Sequence, residues 1–381
     1  MNSPIETKRS KPRYIMIGGF LGAGKTTAVA QLARQLTGEG IKVGLITNDQ
    51  GSELVDTALL RSHGFATEEI AGGCFCCRFN SLTDAAKKLT DSTRPDVFIA
   101  EPVGSCTDLI ATVTYPLRRI YGDDYEIAPL SVLVDPIRAL RIFGLESGGK
   151  FSEKVLYIYR KQLTEADVIV INKVDLLTEE KTNLLRECFA REFSSATIFE
   201  ISARSGNGLA EWFHHIRTTS QDSSRGLEID YNIYSDGEAL LGWLNCTIEL
   251  SHSSGVDAND VLKGLANSIQ KFLQKNNAEI GHLKMTLSPN VGFGDIAVIN
   301  LVRNDVVAEL SQTLEEPVDA AQIILNLRAE AAPELLRDAV LAAIVVVKEM
   351  HGELKLDLEH LEHFQPGRPN PTHRFASPLI S

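Results

Sequence analysis

The sequence contains no run of about 20 apolar residues, so nothing in it predicts a helix that spans a bilayer. Cationic residues are in the minority, since 38 Lys and Arg stand against 50 Asp and Glu, and the formal net charge is -12. This charge argues against nonspecific binding to nucleic acid or to an anionic membrane as the main activity. Cysteine is also scarce, with six in 381 residues, which excludes a disulfide-stapled secreted scaffold.

The few cysteines are not spread evenly, because three of them, Cys74, Cys76 and Cys77, lie within one four-residue segment. In a reducing compartment such a cluster indicates metal or thiol chemistry, and we expect a cytoplasmic protein. The N-terminus imitates a signal peptide, but its apolar run is short, rich in glycine and followed by Lys25. We therefore interpret residues 1–13 as a flexible basic tail.

Between residues 14 and 217, short apolar runs alternate with helical patterns. This alternation is typical of a doubly wound α/β domain with a mostly parallel sheet and crossover helices. Each predicted strand is apolar along its length, as buried central strands are. The predicted strands lie at residues 14–17, 43–47, 97–100, 130–134, 168–171 and 197–200.

The pattern changes after a polar linker at 218–230. Between 231 and 364 the predicted order is strand, helix, two strands, a further strand, helix and strand, which is compatible with a second, smaller α+β domain of ferredoxin-like type. Residues 365–381 form a Pro-rich tail that we expect to be extended. This tail is expected either to dock a partner or to pack on its own domain.

Residues 19–26 read GFLGAGKT and match the phosphate-loop pattern of P-loop NTPases at every required position, between a predicted strand and a predicted helix. Backbone N–H groups of such a loop bind phosphate, while the helix N-terminus and Lys25 add positive charge. The Thr26 hydroxyl is the expected Mg²⁺ ligand. The expected nucleotide-binding residues here are Gly19, Gly22, Ala23, Gly24, Lys25, Thr26 and Thr27.

The identity of the nucleotide base is predicted by a second segment, Asn172-Lys173-Val174-Asp175, which follows a predicted strand. The Asp175 carboxylate can accept hydrogen bonds from the N1–H and the exocyclic amino group of guanine, so it favours GTP over ATP. Asn172 is expected to tie this segment to the phosphate loop, and the stem of Lys173 can cover the base. Ser202 and Ala203, after the next strand, are expected to complete the pocket.

Two further segments offer carboxylates to the phosphates. Glu101 and Gly104 follow a strand, where Glu101 can hold the Mg²⁺ shell or order the attacking water and Gly104 can sense a γ-phosphate. Residues 47–51 are a candidate first switch with Asp49 as a second candidate for Mg²⁺ or water. Ordinary turns are the alternative in both places. The candidate catalytic residues are Lys25, Glu101 and Asp49.

Thiolates favour Zn²⁺ and related ions, and Cys74, Cys76 and Cys77 can occupy up to three corners of a tetrahedron. Cys106 is the first candidate for the fourth ligand, with His63 or a carboxylate after it. Because adjacent cysteines seldom both reach one small ion, a site that uses only two of the clustered thiols is also open. Buried thiols without a ligand role and redox-active thiols are the alternatives.

The segments GGFLGAGKTT, GGCFCC, EPVG and NKVD occur in an order that resembles the CobW-like metallochaperone GTPases, relatives of the nickel-inserting GTPases of urease and hydrogenase maturation. The resemblance covers roughly residues 14–215. It implies a P-loop domain that binds Mg·GTP, hydrolyses it slowly and binds Zn²⁺ or Co²⁺ through the cysteines in a nucleotide-dependent way. It also implies self-association, with a homodimer as the expected form, and a link to cobalamin synthesis.

The sequence departs from this family in its first switch, which commonly reads Asn-Glu-x-Gly-Glu but is NDQGS at residues 48–52. The His-rich tract of many relatives is missing as well. These differences indicate a divergent branch with its own client, either a metalloprotein or a protein of a corrinoid pathway.

Three functions follow from these residues. The first is a GTP-hydrolysing metallochaperone that delivers Zn²⁺ or Co²⁺ to its client. The second is a metal-responsive binding module with vestigial GTPase activity, and the third is a GTPase chaperone of a corrinoid enzyme. Thiolate softness also allows Ni²⁺.

Overall fold

The structure is a computed structural model that describes residues 11–48, 55–121, 124–221, 227–290 and 295–377. Most of the predicted basic tail and Asp49, with the rest of the candidate first switch after Asn48, lie outside the described residues.

The first half of the chain forms a parallel sheet around a central β1. In the described residues its strands are β1 (Arg13–Gly19), β2 (Val43–Asn48), β3 (Thr67–Ile70), β4 (Val97–Glu101), β5 (Glu126–Ile127), β6 (Ser131–Val134), β7 (Val168–Ile171) and β8 (Thr197–Glu200). Their order is β3-β2-β4-β1-β6-β7-β8, with β5 beside β1. The six predicted strands are confirmed. The chain winds to both sides of β1, and such folds bind ligands at the carboxyl ends of the strands near this point.

Helices cover both faces of this sheet. They are α1 (Lys25–Gly38), α2 (Val55–Ser62), α3 (Phe79–Ser92), α4 (Tyr115–Tyr121), α5 (Pro136–Ile142), α6 (Glu153–Glu165), α7 (Glu179–Glu192) and α8 (Leu209–Thr218). Along β1, Tyr14 and Met16 pack into the core on one face, and Ile15 and Ile17 pack into the core on the other. A strand buried on both faces must be apolar throughout, which explains why these strands could be predicted.

A second sheet, antiparallel, forms most of the later chain. Its elements are α9 (Tyr231–Leu240), β9 (Leu241–Val256), α10 (Ala258–Lys275), β10 (Glu279–Pro289), β11 (Ala297–Leu301), β12 (Glu309–Gln312), β13 (Val318–Glu330), α11 (Pro333–Met350) and β14 (Lys355–Phe364). The strand order is β12-β11-β10-β13-β9-β14. Within it, β14-β9-β13-β10 with α10 and α11 makes the βαββαβ arrangement of ferredoxin-like domains, as predicted, and β11 and β12 extend one edge.

Both long helices cover one face of this antiparallel sheet. α10 is capped at its N-terminus by Asp257, whose Oδ1 accepts hydrogen bonds from the N–H groups of Asn259 and Asp260 at 2.8 and 3.4 Å. Leu283 and Met285 of β10 join the core beneath the helices. Because strand side chains alternate, His282 and Lys284 lie on the other face of the sheet. Among the described residues, no helix is both long and apolar enough to cross a membrane.

Candidate nucleotide and metal site

The phosphate loop joins β1 to α1 in a conformation that requires glycine. Gly24 has a φ of +91°, and a Cβ there would lie 2.4 Å from Nδ2 of Asn172. Gly24 precedes the first turn of α1, which has no acidic residue and no side-chain cap. A helix N-terminus without an acidic side chain or a side-chain cap favours an anion, as a phosphate site requires.

Four predicted phosphate-site residues come together beside this loop. The Thr26 hydroxyl donates a hydrogen bond to Oε1 of Glu101 at 3.0 Å, and both side chains are buried. A Cβ at Gly104 would lie 3.2 Å from Nζ of Lys25, so the backbone after β4 closely approaches this amine. The hydroxyl and carboxylate oxygens fit the hard-oxygen ligands that Mg²⁺ prefers. Thr27, the next residue, is exposed.

The predicted guanine segment is tied to the phosphate loop through Asn172. Its Nδ2 donates to the carbonyl of Ala23 at 2.8 Å, and its Oδ1 accepts from the N–H of Ala203 at 2.9 Å. Asn172 thus joins three separate loops. Asp175 lies in a 3-10 turn at Val174–Leu176 and is exposed, while Ser202 is buried and accepts a hydrogen bond from the N–H of Ser205 at 3.2 Å.

Lys173 has two polar partners of its own. Its Nζ donates to the carbonyl of Gly22 at 2.7 Å and to Oδ2 of Asp135 at 2.8 Å. Oδ1 of Asp135 also accepts from Nη1 of Arg303 in the second domain at 3.0 Å. Burial favours the neutral acid, but the charges of Lys173, Arg303 and Arg138 outweigh it and lower the pKa of Asp135.

Asp135 was not predicted from the sequence. The segment Asp135-Pro136 carries a helix-start signal, since Asp135 accepts a hydrogen bond from the N–H of Arg138 at 2.9 Å. That signal locates α5 but not the contact with Lys173, because the two residues lie on different loops.

The predicted thiol cluster is compact. The Sγ atom of Cys74 lies 2.8 Å from that of Cys76 and 3.3 Å from that of Cys77. In the described part of the chain these three thiols are the group of metal-ligand atoms that lie within 4.8 Å of one another. Cys74 and Cys76 are buried and Cys77 is half-buried. Three soft donors at this spacing fit a Zn²⁺-like ion.

A thiol must lose its proton to bind a metal, and the three clustered cysteines differ in their pKa. Hydrogen bonding with the Cys106, Cys76 and Cys77 thiols lowers the pKa of Cys74, which favours its thiolate form. The interaction with Cys74 raises the pKa of Cys77 to about 11. A metal that binds all three must displace protons, and its affinity therefore rises with pH.

Cys106 is buried and contacts Cys74, but it is not a member of the three-thiol group. Beside it, the Ser105 hydroxyl donates to Oε1 of Glu238 at 2.8 Å. Burial raises the pKa of this carboxyl, and the charge on Cys74 raises it further. His63, the other candidate ligand, instead hydrogen-bonds Arg34 and Gln312.

The end of β2 holds the thiol loop in place. Asn48 Oδ1 accepts from the N–H of Phe75 at 2.9 Å, and Asn48 Nδ2 donates to the carbonyls of Ile70 and Gly73 at 2.9 and 2.7 Å. Asn48 is also the residue that precedes Asp49 in the candidate first switch. One side chain therefore connects the start of that segment to the loop that carries the cysteines.

Comparison with known proteins identifies the first half of the chain. Residues 13–199 match the family model described as CobW/HypB/UreG, nucleotide-binding domain. This region is a CobW/HypB/UreG nucleotide-binding domain.

The CobW/HypB/UreG domain is also the part shared with individual relatives. The chain is 32% identical over 203 residues to zinc chaperone CobW of Sinorhizobium sp., covering 48% of this chain and 55% of the relative. It is 32% identical over 179 residues to zinc chaperone YeiR of Escherichia coli K12, covering 46% of this chain and 50% of that relative. The chain thus spans about half the length of the curated relatives it matches. The HypB structure from Archaeoglobus fulgidus aligns with a TM-score of 0.37 and 22% identity, over 54% of this chain and 89% of that one.

The Pro-rich tail crosses the thiol loop of the CobW/HypB/UreG domain and does not pack only on the second domain. The N–H of Asn370 donates to Sγ of Cys77 at 3.2 Å. The N–H of Thr372 donates to the carbonyl of Cys76 at 2.8 Å, and its hydroxyl donates to the carbonyl of Cys77 at 3.0 Å. Further along, Arg374 pairs with the buried Asp108 at 2.7 Å. The tail therefore covers the exposed side of the cysteine cluster.

Replacing Asn370 with Pro is expected to loosen this tail. The change removes the N–H that reaches Cys77 and keeps an extended backbone, whereas Asn370→Ala keeps the N–H and serves as the control. Loss of about 1 kcal/mol should raise the rate of tryptic cleavage after Arg374 about fivefold, measured by mass spectrometry on the metal-free protein. Equal cleavage rates for the two variants would show that this hydrogen bond does not hold the tail.

Proposed function

We propose that this protein binds Mg·GTP, hydrolyses it to GDP and phosphate, and uses that cycle to bind and release a transition-metal ion at Cys74, Cys76 and Cys77. The observation that carries the proposal is the set of three hydrogen bonds between the Asn48 side chain and the backbone of residues 70–75, two of them within the thiol loop. A change at the candidate first switch on nucleotide binding can reach the cysteines through this side chain.

The positions of the phosphate-site residues support the following proposed roles. Lys25 would neutralise charge on the phosphates, and Thr26 and Glu101 would hold Mg²⁺, which when bound would supply further positive charge to the phosphoryl oxygens. Glu101 alternatively orders the attacking water, and Asp49 is retained as the second candidate for that role. Gly104 lies against Lys25, which supports the proposal that its backbone senses the γ-phosphate.

We propose Zn²⁺ as the cargo, with Co²⁺ as the alternative. The thiolate donors suit both ions, and two relatives of the CobW/HypB/UreG domain are named zinc chaperones. All six cysteines are free thiols, which supports a reducing, cytoplasmic location. Delivery would be to a client metalloprotein or corrinoid-pathway protein, with the protein acting as a homodimer.

The test is a competition titration of Zn²⁺ and Co²⁺ against a chromophoric chelator, with a Mg·GTP analogue or Mg·GDP bound. We expect one ion per chain, held at least about fivefold more tightly with the GTP analogue, which corresponds to about 1 kcal/mol of coupling. The variant with serine at all three cysteine positions should lose the ion. Equal affinity in both nucleotide states would overturn the coupling and favour a binding module with vestigial GTPase activity.

A further inference from the structure

The sheet of the second domain presents polar side chains to the nucleotide-binding domain. On β10, Lys284 lies opposite Asn326 of β13, and His282 lies opposite Arg328. His282, Asn326 and Arg328 are buried, although they face away from the apolar core beneath α10 and α11. A buried polar face of this kind is retained where it contacts another polar surface.

That other surface is the phosphate loop. A Cβ at Gly22 would lie 3.0 Å from the Cβ of Val302, and a Cβ at Gly281 would lie 2.7 Å from Cδ1 of Leu21. The guanidinium of Arg138 also donates to the carbonyls of Ile280 and Gly281 at 3.3 and 3.4 Å. The two domains are therefore in direct contact at the residues that would surround the phosphates.

Lys284 extends this contact into the phosphate site itself. Its Nζ lies 3.4 Å from Oγ1 of Thr26, and Oγ1 of Thr26 in turn lies 3.0 Å from Oε1 of Glu101. The Lys284 side chain is half-buried. An ammonium group supplied by the second domain thus contacts the hydroxyl that we assign to Mg²⁺.

An ammonium group and Mg²⁺ on one hydroxyl would repel each other, so we expect Lys284 to leave Thr26 when Mg·GTP binds. Its flexible four-carbon stem permits this movement. With the Glu101 carboxylate assigned to Mg²⁺, the triphosphate would be an anion that the Lys284 ammonium group can bind. We propose that Lys284 is a phosphate-binding residue, contributed by the second domain, that recognises the γ-phosphate and so distinguishes GTP from GDP. This inference rests on the proposed function, since it requires GTP as the ligand.

Asn326, which is paired with Lys284 across β10 and β13, contacts the helix that follows the candidate first switch. Oδ1 of Asn326, the partner of Lys284 across the strands, accepts a hydrogen bond from the N–H of Val55 at 3.0 Å. Val55 is the first residue of α2. The face of the sheet that carries Lys284 therefore also contacts α2.

The experiment compares the full chain with Lys284→Met, which removes the charge and keeps the length, and with Lys284→Arg, which keeps the charge. Lys271→Met, at an exposed position on α10, is the matched control. Calorimetry gives the affinities for Mg·GTPγS and Mg·GDP. We expect Lys284→Met to weaken GTPγS binding about tenfold, or about 1.4 kcal/mol, with at most about a twofold change for GDP. Lys284→Arg and Lys271→Met should retain the wild-type preference.

The ratio of the two affinities separates phosphate recognition from a structural role, which would change both affinities together. An unchanged ratio in Lys284→Met overturns the inference, as does tighter binding of both nucleotides, which would mean that Lys284 only competes with Mg²⁺. Lys284→Gln is a second neutral variant if the methionine variant fails to fold. Wild-type protein that binds GDP and GTPγS equally overturns the role of Lys284, whereas wild-type protein that binds neither overturns the proposed function.

Discussion

Replacing Asp175 with Asn is expected to lower the affinity for GTP at least about a hundredfold and to create affinity for XTP. A carboxylate accepts hydrogen bonds from N1–H and the amino group of guanine, and such charged bonds contribute about 1.5–3 kcal/mol each. An amide presents a donor where guanine also has one, but xanthine carries an oxygen at that position, which can accept the amide N–H.

The surroundings of Asp175 indicate that this substitution changes base recognition without disturbing the fold. Asp175 is exposed, while the segment that carries it is held by the Asn172 hydrogen bonds and by the N–H of Val174, which donates to the carbonyl of Ile201 at 3.1 Å. The variant should therefore keep the fold and the phosphate loop. Competition of XTP and GTP against a fluorescent nucleotide measures the change.

The matched control for this prediction is Glu187→Gln, which neutralises an exposed carboxylate on α7 without contact to the segment at 172–175. We expect it to bind GTP as the wild type does. If Asp175→Asn retained full GTP affinity, the base would be recognised by other residues, and the assignment of this segment to guanine would be wrong.

The elements that could be predicted from the sequence are those specified by residues next to one another in the chain. The buried parallel strands, the phosphate loop and the cysteine cluster are contiguous segments whose residue types report their environment directly. β3 and β12 were missed because the segments Thr67–Ile70 and Glu309–Gln312 are edge strands with few apolar side chains. α9 was missed because Tyr231–Leu240 contains Asp236 and Gly237, which are poor helix formers.

Contacts between distant segments could not be predicted from one sequence. Arg303 and Lys284 reach the phosphate side of the first domain from the second, and Asn370 reaches Cys77 across 293 positions. Arg303 and Lys284 lie in segments that are unremarkable by composition, and the proline content of residues 365–381 does not indicate which surface the tail contacts. Only the packing of two sheets, which depends on side chains throughout both domains, brings them to the site.

Replacing Cys74 with Ser is expected to lower the Zn²⁺ affinity at least about a hundredfold. Thiolate sites bind Zn²⁺ with about 10–16 kcal/mol in total, so loss of one of three or four ligands removes about 3 kcal/mol or more. Cys74 is the most consequential position because its Sγ lies within 3.3 Å of both other thiols and its pKa is lowered. Serine keeps the shape but supplies a hard oxygen that does not ionise at neutral pH.

Two matched variants show whether this loss is specific. Cys188→Ser, at a buried cysteine of α7 outside the three-thiol group, should leave the Zn²⁺ affinity unchanged. Cys106→Ser should lower it only about tenfold, as expected for a residue that hydrogen-bonds to a ligand. A loss at Cys106 as large as that at Cys74, measured by chelator competition at a fixed pH, would instead make Cys106 the fourth ligand. A Cys74→Ser variant with wild-type affinity would remove the cysteine loop from metal binding, and the proposed cargo site with it.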